Sequence, residues 1–221
     1  MRKLALLFLL LPLVAAGCHH GRRAEVKGSG KRVVQKRQIS SFTSISTEGA
    51  FEIEVTCQKD PSLEVQGDDN LLEFVTADVR GNELRLSSSK SFSTSEPIRI
   101  KITVPNLEGL SVSGAGRIDI KDMKNQKFEI DSQGAPNIIV SGSTNTIDID
   151  SSGAGRIDTQ KLHASRAVVD SKGVSRIDLD VSDQLDVTVS GASSITYRGD
   201  PVVHKTVNGP GKVEKRASEG A

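Results

Sequence analysis

From residue 108 onward, apolar and polar residues alternate with a period of two, and the pattern is reset by a glycine at regular intervals. Aligned on Gly114, Gly134, Gly153, Gly173, Gly191 and Gly209, the spacings are 20, 19, 20, 18 and 18 residues. Four residues after each glycine stand Ile118, Ile138, Ile157, Ile177, Ile195 and Val213. Four before stand Leu110, Ile130, Ile149, Val169 and Val187, with Lys205 the one break. Six before stand Phe128, Ile147, Ala167, Leu185 and Val203, with Glu108 the one break. A period of two is the signature of a strand. Each repeat therefore predicts two short strands with the glycine at the bend between them.

Strand pairs recurring every 18–20 residues are too closely spaced for propeller blades, and they leave no room for the helix of a leucine-rich repeat. The expected fold is all-β: a solenoid in which each repeat is one coil and coils stack about 4.8 Å apart, equivalent residues forming columns. The Ile and Val columns form its core, each side chain contributing roughly 1.5–3 kcal/mol by burial. The bend glycines have two candidate causes, a positive φ or a lack of space for a Cβ between coils. Two residues before the glycine the column reads Val112, Ser132, Ser151, Ser171, Val189, Val207. It points inward, so the three serines need hydrogen-bond partners at the corner.

Residues 33–107 alternate as well, in Phe51-Ile53-Val55, Leu63-Val65, Leu84-Leu86 and Ile98-Ile100-Ile102-Val104, with turn signals at Gly67-Asp68-Asp69-Asn70 and Gly81-Asn82. They are expected to form a less regular section capping the exposed strand edges of residues 108–213. Residues 214–221 read as a polar tail. Cys57 shares the parity of Phe51, Ile53 and Val55 and is expected to be a buried, unreactive thiol.

At the other end, Met1-Arg2-Lys3 precedes the apolar run Leu4 to Leu13. Residues 1–17 have the charge, length and small terminal residues of a secretory signal. Ala15-Ala16-Gly17-Cys18 resembles a bacterial lipobox, with Ala15 where leucine is commoner. The resemblance implies cleavage before Cys18, diacylation of its thiol and acylation of the new amino terminus, an anchor strong enough to hold the chain on a membrane. His19 after the cysteine resembles the pattern for outer-membrane placement. Residues 18–32, glycine-rich and aperiodic, are expected to form a flexible tether.

A wider resemblance runs from about residue 39 to 213. It is carried by Phe42-Thr43-Ser44-Ile45, Gly49-Ala50-Phe51-Glu52-Ile53, Val65-Gln66-Gly67-Asp68-Asp69-Asn70-Leu71-Leu72, Gly81-Asn82-Glu83-Leu84 and Val104-Pro105-Asn106-Leu107. Ser-Gly-Ala-Gly at 113–116 and 152–155 completes the set. Together these resemble the head domain of the auto-transporter adhesin family, the GIN domain. The resemblance implies a right-handed β-helix-like fold on a secreted or lipid-anchored envelope protein, and more about fold than about ligand.

Charge narrows the partners. The whole chain carries +1; without residues 1–17 the balance is 27 basic to 28 acidic side chains. No basic excess remains for nucleic acid. Aromatics are 3% of the chain, with no Trp and one Tyr, which removes the usual stacking platform for bases or sugars. On the outward positions, Asp131, Asp150 and Asp170 fall in one column and Arg117, Arg156 and Arg176 in another. Stacked carboxylates repel by roughly 1 kcal/mol per neighbouring pair in water. Asp150 and Asp170 are therefore expected to pair with Arg156 and Arg176 across the bend as a charged ladder. The alternative, Ca²⁺ collected by Glu129, Asp131, Asp148, Asp150 and Asp170, lacks a recognised calcium loop and sits uneasily beside the arginines.

No catalytic residue, metal set or cofactor motif emerges: His163 and His204 stand in unlike contexts and no nucleophile elbow, Walker or dinucleotide motif is present. The expected function is a non-catalytic envelope lipoprotein carrying an adhesin-like binding module. A periplasmic structural or sensory module is the alternative, and a polysaccharide-acting enzyme is a weaker one. Its partners would be the membrane, through the lipid, and an unidentified surface or envelope protein or glycan; self-association is left open.

Overall fold

The computed structural model describes residues 25–216, so the signal segment expected over residues 1–17 and the lipid attachment expected at Cys18 lie outside the described residues. Almost every regular element is a strand. In chain order they are β1 (Val26–Lys27), β2 (Arg32–Arg37), β3 (Ser44–Thr47), β4 (Glu52–Cys57), β5 (Ser62–Asp68), β6 (Val75–Arg80), β7 (Glu83–Ser88), β8 (Phe92–Ser93) and β9 (Arg99–Val104). They continue with β10 (Gly109–Val112), β11 (Arg117–Ser132), β12 (Asn137–Ser151), β13 (Arg156–Ser171), β14 (Arg176–Val189), β15 (Ser194–Arg198), β16 (Val202–Val207) and β17 (Lys212–Lys215). A single 3₁₀ turn, Leu72–Phe74, follows β5.

The strands stack as a β-solenoid with two walls. The long strands β11 to β14 run round the corner from one wall to the other, which joins the walls into one hydrogen-bonded ladder. The register keeps the repeat: Ile118, Ile138, Ile157, Ile177, Ile195 and Val213 pair in succession, all buried. So do Leu110, Ile130, Ile149, Val169 and Val187. At the second corner, register shifts between Ile120 and Met123 and between Ile139 and Ser141 turn the chain, and Met123, Leu162 and Ala164 fill the space inside.

The stack begins before the sequence repeat does. β3 and β4 form a rung that lies parallel on β10 and β11, and β7 and β9 form another on its far side. Beyond them the direction reverses. Antiparallel β6 pairs with β7 on one wall, and antiparallel β5 and then β2 close the other. Reversing strands end the parallel stack, and the outermost, Arg32-Val33-Val34-Gln35-Lys36-Arg37, is heavily charged, as suits an edge.

Two boundaries move. Of the tether expected over residues 18–32, the described part from Val26 is held on the domain, because β1 pairs with β8 and the Ser29 amide donates to Asn70 Oδ1 at 2.9 Å. The Gly30 amide also donates to Asp68 Oδ2 at 3.1 Å, so the Asp68-Asp69-Asn70 turn holds this segment on the domain. At the other end Glu214 and Lys215 belong to β17 and not to a tail.

Candidate functional site

The bend column is built by close approach and not by backbone conformation. Along most of the column the carbonyl of a bend glycine accepts the amide of the residue after the next bend glycine: the Ala135 amide donates to Gly114, Ala154 to Gly134 and Val174 to Gly153, each at 2.9 Å, while Gly191 accepts from Gly211, past Pro210, at 3.1 Å. That ladder sets each carbonyl beneath the glycine above it. A Cβ at Gly114, Gly134, Gly153, Gly173 or Gly191 would lie 1.8–2.2 Å from the preceding glycine's oxygen. Gly209 alone of these six has a positive φ, 142°, at the open end of the stack. The column has an earlier member that the spacing does not reveal, Gly49, whose oxygen lies 1.9 Å from where a Cβ of Gly114 would be.

The outward columns lie where their spacing places them, but their ion pairs differ from expectation. Asp131, Asp150 and Asp170 are in register on one wall. The ammonium of Lys172 sits 3.1 Å from Asp170 and 3.7 Å from Asp150, bridging two rungs. Its hydrogen bond to Asp170 and the charges of Asp150 and Asp170 raise its pKa. Asp131 instead accepts from Gln133 Nε2 at 3.2 Å. Lys127 bonds Glu129 and lies 3.0 Å from Asp148, and both contacts raise its pKa.

Arg117, Arg156 and Arg176 project from the other wall, so the bend separates them from Asp150 and Asp170. That separation overturns the expected cross-bend pairing. Arg156 and Arg176 turn instead to carboxylates two residues on in their own strands or one rung away. Arg156 Nη2 lies 3.2 Å from Asp158 and 2.9 Å from Asp178, and Arg176 Nε lies 3.4 Å from Asp178. Arg216 Nη2 reaches Asp178 from beyond β17 at 3.5 Å, and Thr196 donates to the same carboxylate. Beneath these groups the Asp178 side chain is 1% exposed although it points away from the core. Sequence reasoning passed over Asp178, yet its signal was there: Arg-Ile-Asp recurs at 117–119, 156–158 and 176–178.

The two histidines among the described residues are exposed and apart. His163 Nδ1 is 3.9 Å from Asp180, and His204 Nδ1 is 2.9 Å from Asp186. Among the described residues no three His, Cys, Asp or Glu side chains are grouped to hold a metal ion. No helix among them is long and apolar enough to cross a membrane.

Solved structures share this architecture. A putative adhesin from Bacteroides fragilis superimposes with a TM-score of 0.72 at 24% identity, covering 86% of this chain and 100% of its own. A putative adhesin from Parabacteroides merdae gives 0.57 at 20% identity, covering 87% of this chain and 99% of its own. A putative lipid binding protein from Parabacteroides distasonis gives 0.56 at 20% identity, with 88% and 100% covered. At these identities the likeness is one of fold. No curated protein matches the chain. The family model described as putative auto-transporter adhesin, head GIN domain, matches residues 41–201, a span that opens just before β3 and takes in every rung through β15. The chain belongs to that family.

Proposed function

We propose that this protein is a non-catalytic cell-envelope lipoprotein, held by lipid on Cys18 and displaying its solenoid as an adhesin-like binding module. The observation that carries the reading is the family match across the stack, joined to two outer walls whose polar columns repeat rung after rung. Stacked walls of this kind suit recognition of an extended partner. The outward carboxylates are engaged with Lys127, Lys172, Arg156 and Arg176, which fits a structural role better than acid–base work.

The anchor geometry adds a constraint. Seven residues separate Cys18 from Val26, where the chain joins the domain. At about 3.5 Å per extended residue the domain stays within roughly 30 Å of the lipid. The chain enters the domain at the end capped by β2, β5 and β6, opposite the β16–β17 end.

Protease treatment of intact cells, with lysed cells as the digestion control, tests display. Loss of the domain from intact cells is expected. Survival until lysis would place it on the periplasmic side and favour the structural or sensory alternative. Cys18→Ser should abolish incorporation of labelled palmitate and release the chain from membranes; retained label would refute the anchor.

A further inference from the structure

A cleft of about 770 Å³ opens at the second corner of the stack, where the β3–β4 rung meets β10 and β11. It exists because the corner column is interrupted there. Asn125, Thr144 and Ala164 are in register, and the last two are buried. On the other side of Asn125 the chain leaves β4 through Gln58 and not round a matching corner, and Asn125 lines the cleft. The backbone records the irregularity. Among the described residues only Gln58, φ 62°, and Asp122, φ 58°, are non-glycine residues with positive φ, and Gln58 lines this cleft. Strained backbone of this kind concentrates at binding sites.

The side chains that line it are all polar. Gln58, Asn106, Asn125, Glu108, Glu129 and Lys124 supply most of the lining, and no apolar side chain contributes to it. Several of these groups are held in place. Gln58 Nε2 donates to the carbonyls of Pro105 at 3.2 Å and Lys124 at 3.3 Å. Asn106 Nδ2 donates to Glu108 Oε1 at 2.9 Å, Thr43 donates to Glu108 Oε2 at 3.2 Å, and Asn125 Nδ2 donates to the Leu107 carbonyl. Among the described residues the buried amide oxygens of Asn106 and Asn125 have no partner. An unpaired buried acceptor is unfavourable, and a ligand hydroxyl that meets it on a small rotation of the amide removes that cost. Lys124 makes no ion pair among the described residues and adds a donor at the rim.

We propose that this cleft binds a neutral oligosaccharide. Fixed amides, carboxylates and one free ammonium match a ligand that is hydroxyl on every side. A peptide would find no apolar pocket for an anchoring side chain. Phosphate-bearing or uronate-bearing ligands meet Glu108 and Glu129, and a bare cation meets Lys124 and Lys127. Without an aromatic platform a single site binds weakly, with a dissociation constant on the order of a millimolar, and many copies on one cell supply avidity. The inference rests on the binding-module reading but not on which face of the membrane the module occupies.

The test uses the full chain with Cys18→Ser, probed on an array of neutral gluco-, galacto-, manno- and N-acetylhexosamine oligosaccharides, with uronate oligosaccharides and extended peptides on the same array. Hits are titrated by saturation-transfer NMR. The expected result is binding of neutral oligosaccharides that falls at least tenfold in Asn125→Ala and in Lys124→Ala. Lys161→Ala, at the same corner farther along the stack, should be unchanged. Thermal melting of each variant separates loss of ligand from loss of fold, and exposed Lys124 keeps the test open should Asn125→Ala melt early. No neutral oligosaccharide bound, binding indifferent to both variants, or retention only of peptides or uronates would overturn the proposal. None of those results bears on protease shaving, so failure of the cleft and failure of surface display are read separately.

Discussion

The hydroxyls of Ser151 and Ser175 lie 2.6 Å apart inside the bend, each on a different rung. Ser171 repeats the arrangement with Ser193 at 2.7 Å, and Ser193 Oγ also accepts the Ser175 amide at 2.9 Å. The inward serine column is thus satisfied by a second serine two residues past the next bend glycine. Ser132 is the exception, because Gly155 stands where that second serine would be, and its buried hydroxyl has no partner. Ser132→Val, which copies Val112 and Val189 in the same column, should leave stability unchanged or raise it by about 1 kcal/mol. Ser193→Ala strips partners from Ser171 and from a buried amide and should cost about 1–3 kcal/mol. Denaturant titration of both variants checks the contrast, and equal losses would mean the serines act only through volume.

Gly153 separates crowding from conformation. Its Cβ would lie 1.8 Å from the Gly134 oxygen, and that backbone cannot yield without opening two rungs. Gly153→Ala should cost about 3 kcal/mol or more. Gly30 has φ 78° and nothing within 4 Å of the position of its Cβ, so Gly30→Ala should cost only about 1 kcal/mol. Melting temperatures for the pair decide between the two causes.

Asp178 gathers Arg156, Arg176 and Arg216 under one buried carboxylate. Arg156→Ala leaves two guanidiniums and Thr196 in place and should cost about 1 kcal/mol. Asp178→Ala leaves three neighbouring cations without their shared counter-ion, and a loss of about 2–4 kcal/mol is expected, deepened at low ionic strength. Urea melts at low and high salt measure both. A loss for Asp178→Ala no greater than that for Arg156→Ala would mean the carboxylate is not the hub.

Much of this architecture is legible in the chain because a solenoid converts sequence period directly into spatial columns. The Ile column after each glycine and the serine column before it could be placed without coordinates. Ion pairing was less legible. Sequence separation made Asp150 and Arg156 neighbours, whereas the bend sends their side chains off different walls, and Asp178 is brought to Arg156 only by stacking. The N-terminal rungs were hidden because β3 and β4 are inserted between strands that come later in the chain, so no fixed interval links Gly49 to Gly114. The cleft left one trace, Glu108, the single break in the apolar column six residues before the glycines.

Cys57 ends β4 fully buried, and desolvation, helped by the nearby charge of Asp122, raises its thiol pKa from 9.0 to about 11. The raised value means that folding favours the protonated thiol. Its contribution to stability is complete below about pH 9 and is lost as pH rises from there through about 11. In the Cys18→Ser chain, Cys57 should therefore resist a thiol reagent at pH 8 and react promptly once urea unfolds the protein. Cys57→Ala should flatten the fall in stability between pH 9 and 11. Rapid labelling of the folded chain at pH 8 would contradict the buried placement.

The far end of the stack carries its own stop signal. Lys205 pairs with Val187 and Lys215 with Tyr197, so both lysines occupy columns that are apolar or aromatic in the adjoining rung. Both are exposed, and Lys215 is paired with Asp200. Outside them, β16 and β17 have no further strand paired to their outer edges among the described residues, above a core that Val203 and Val213 only begin to close. An open parallel edge over an apolar core is a template for another chain, and inward-facing charge is a way of blocking it. A second copy meeting this end would have to bury two ammonium groups, at a cost of several kcal/mol each. Replacing both, Lys205→Val with Lys215→Val, continues the apolar columns to the end. The double variant should sediment as dimers or larger assemblies at concentrations where the unsubstituted chain does not grow. Single substitutions should give a weaker, concentration-dependent effect, since one buried charge still opposes contact. Sedimentation velocity across a hundredfold dilution measures this, and an unchanged distribution in the double variant would mean that shape, and not charge, ends the solenoid.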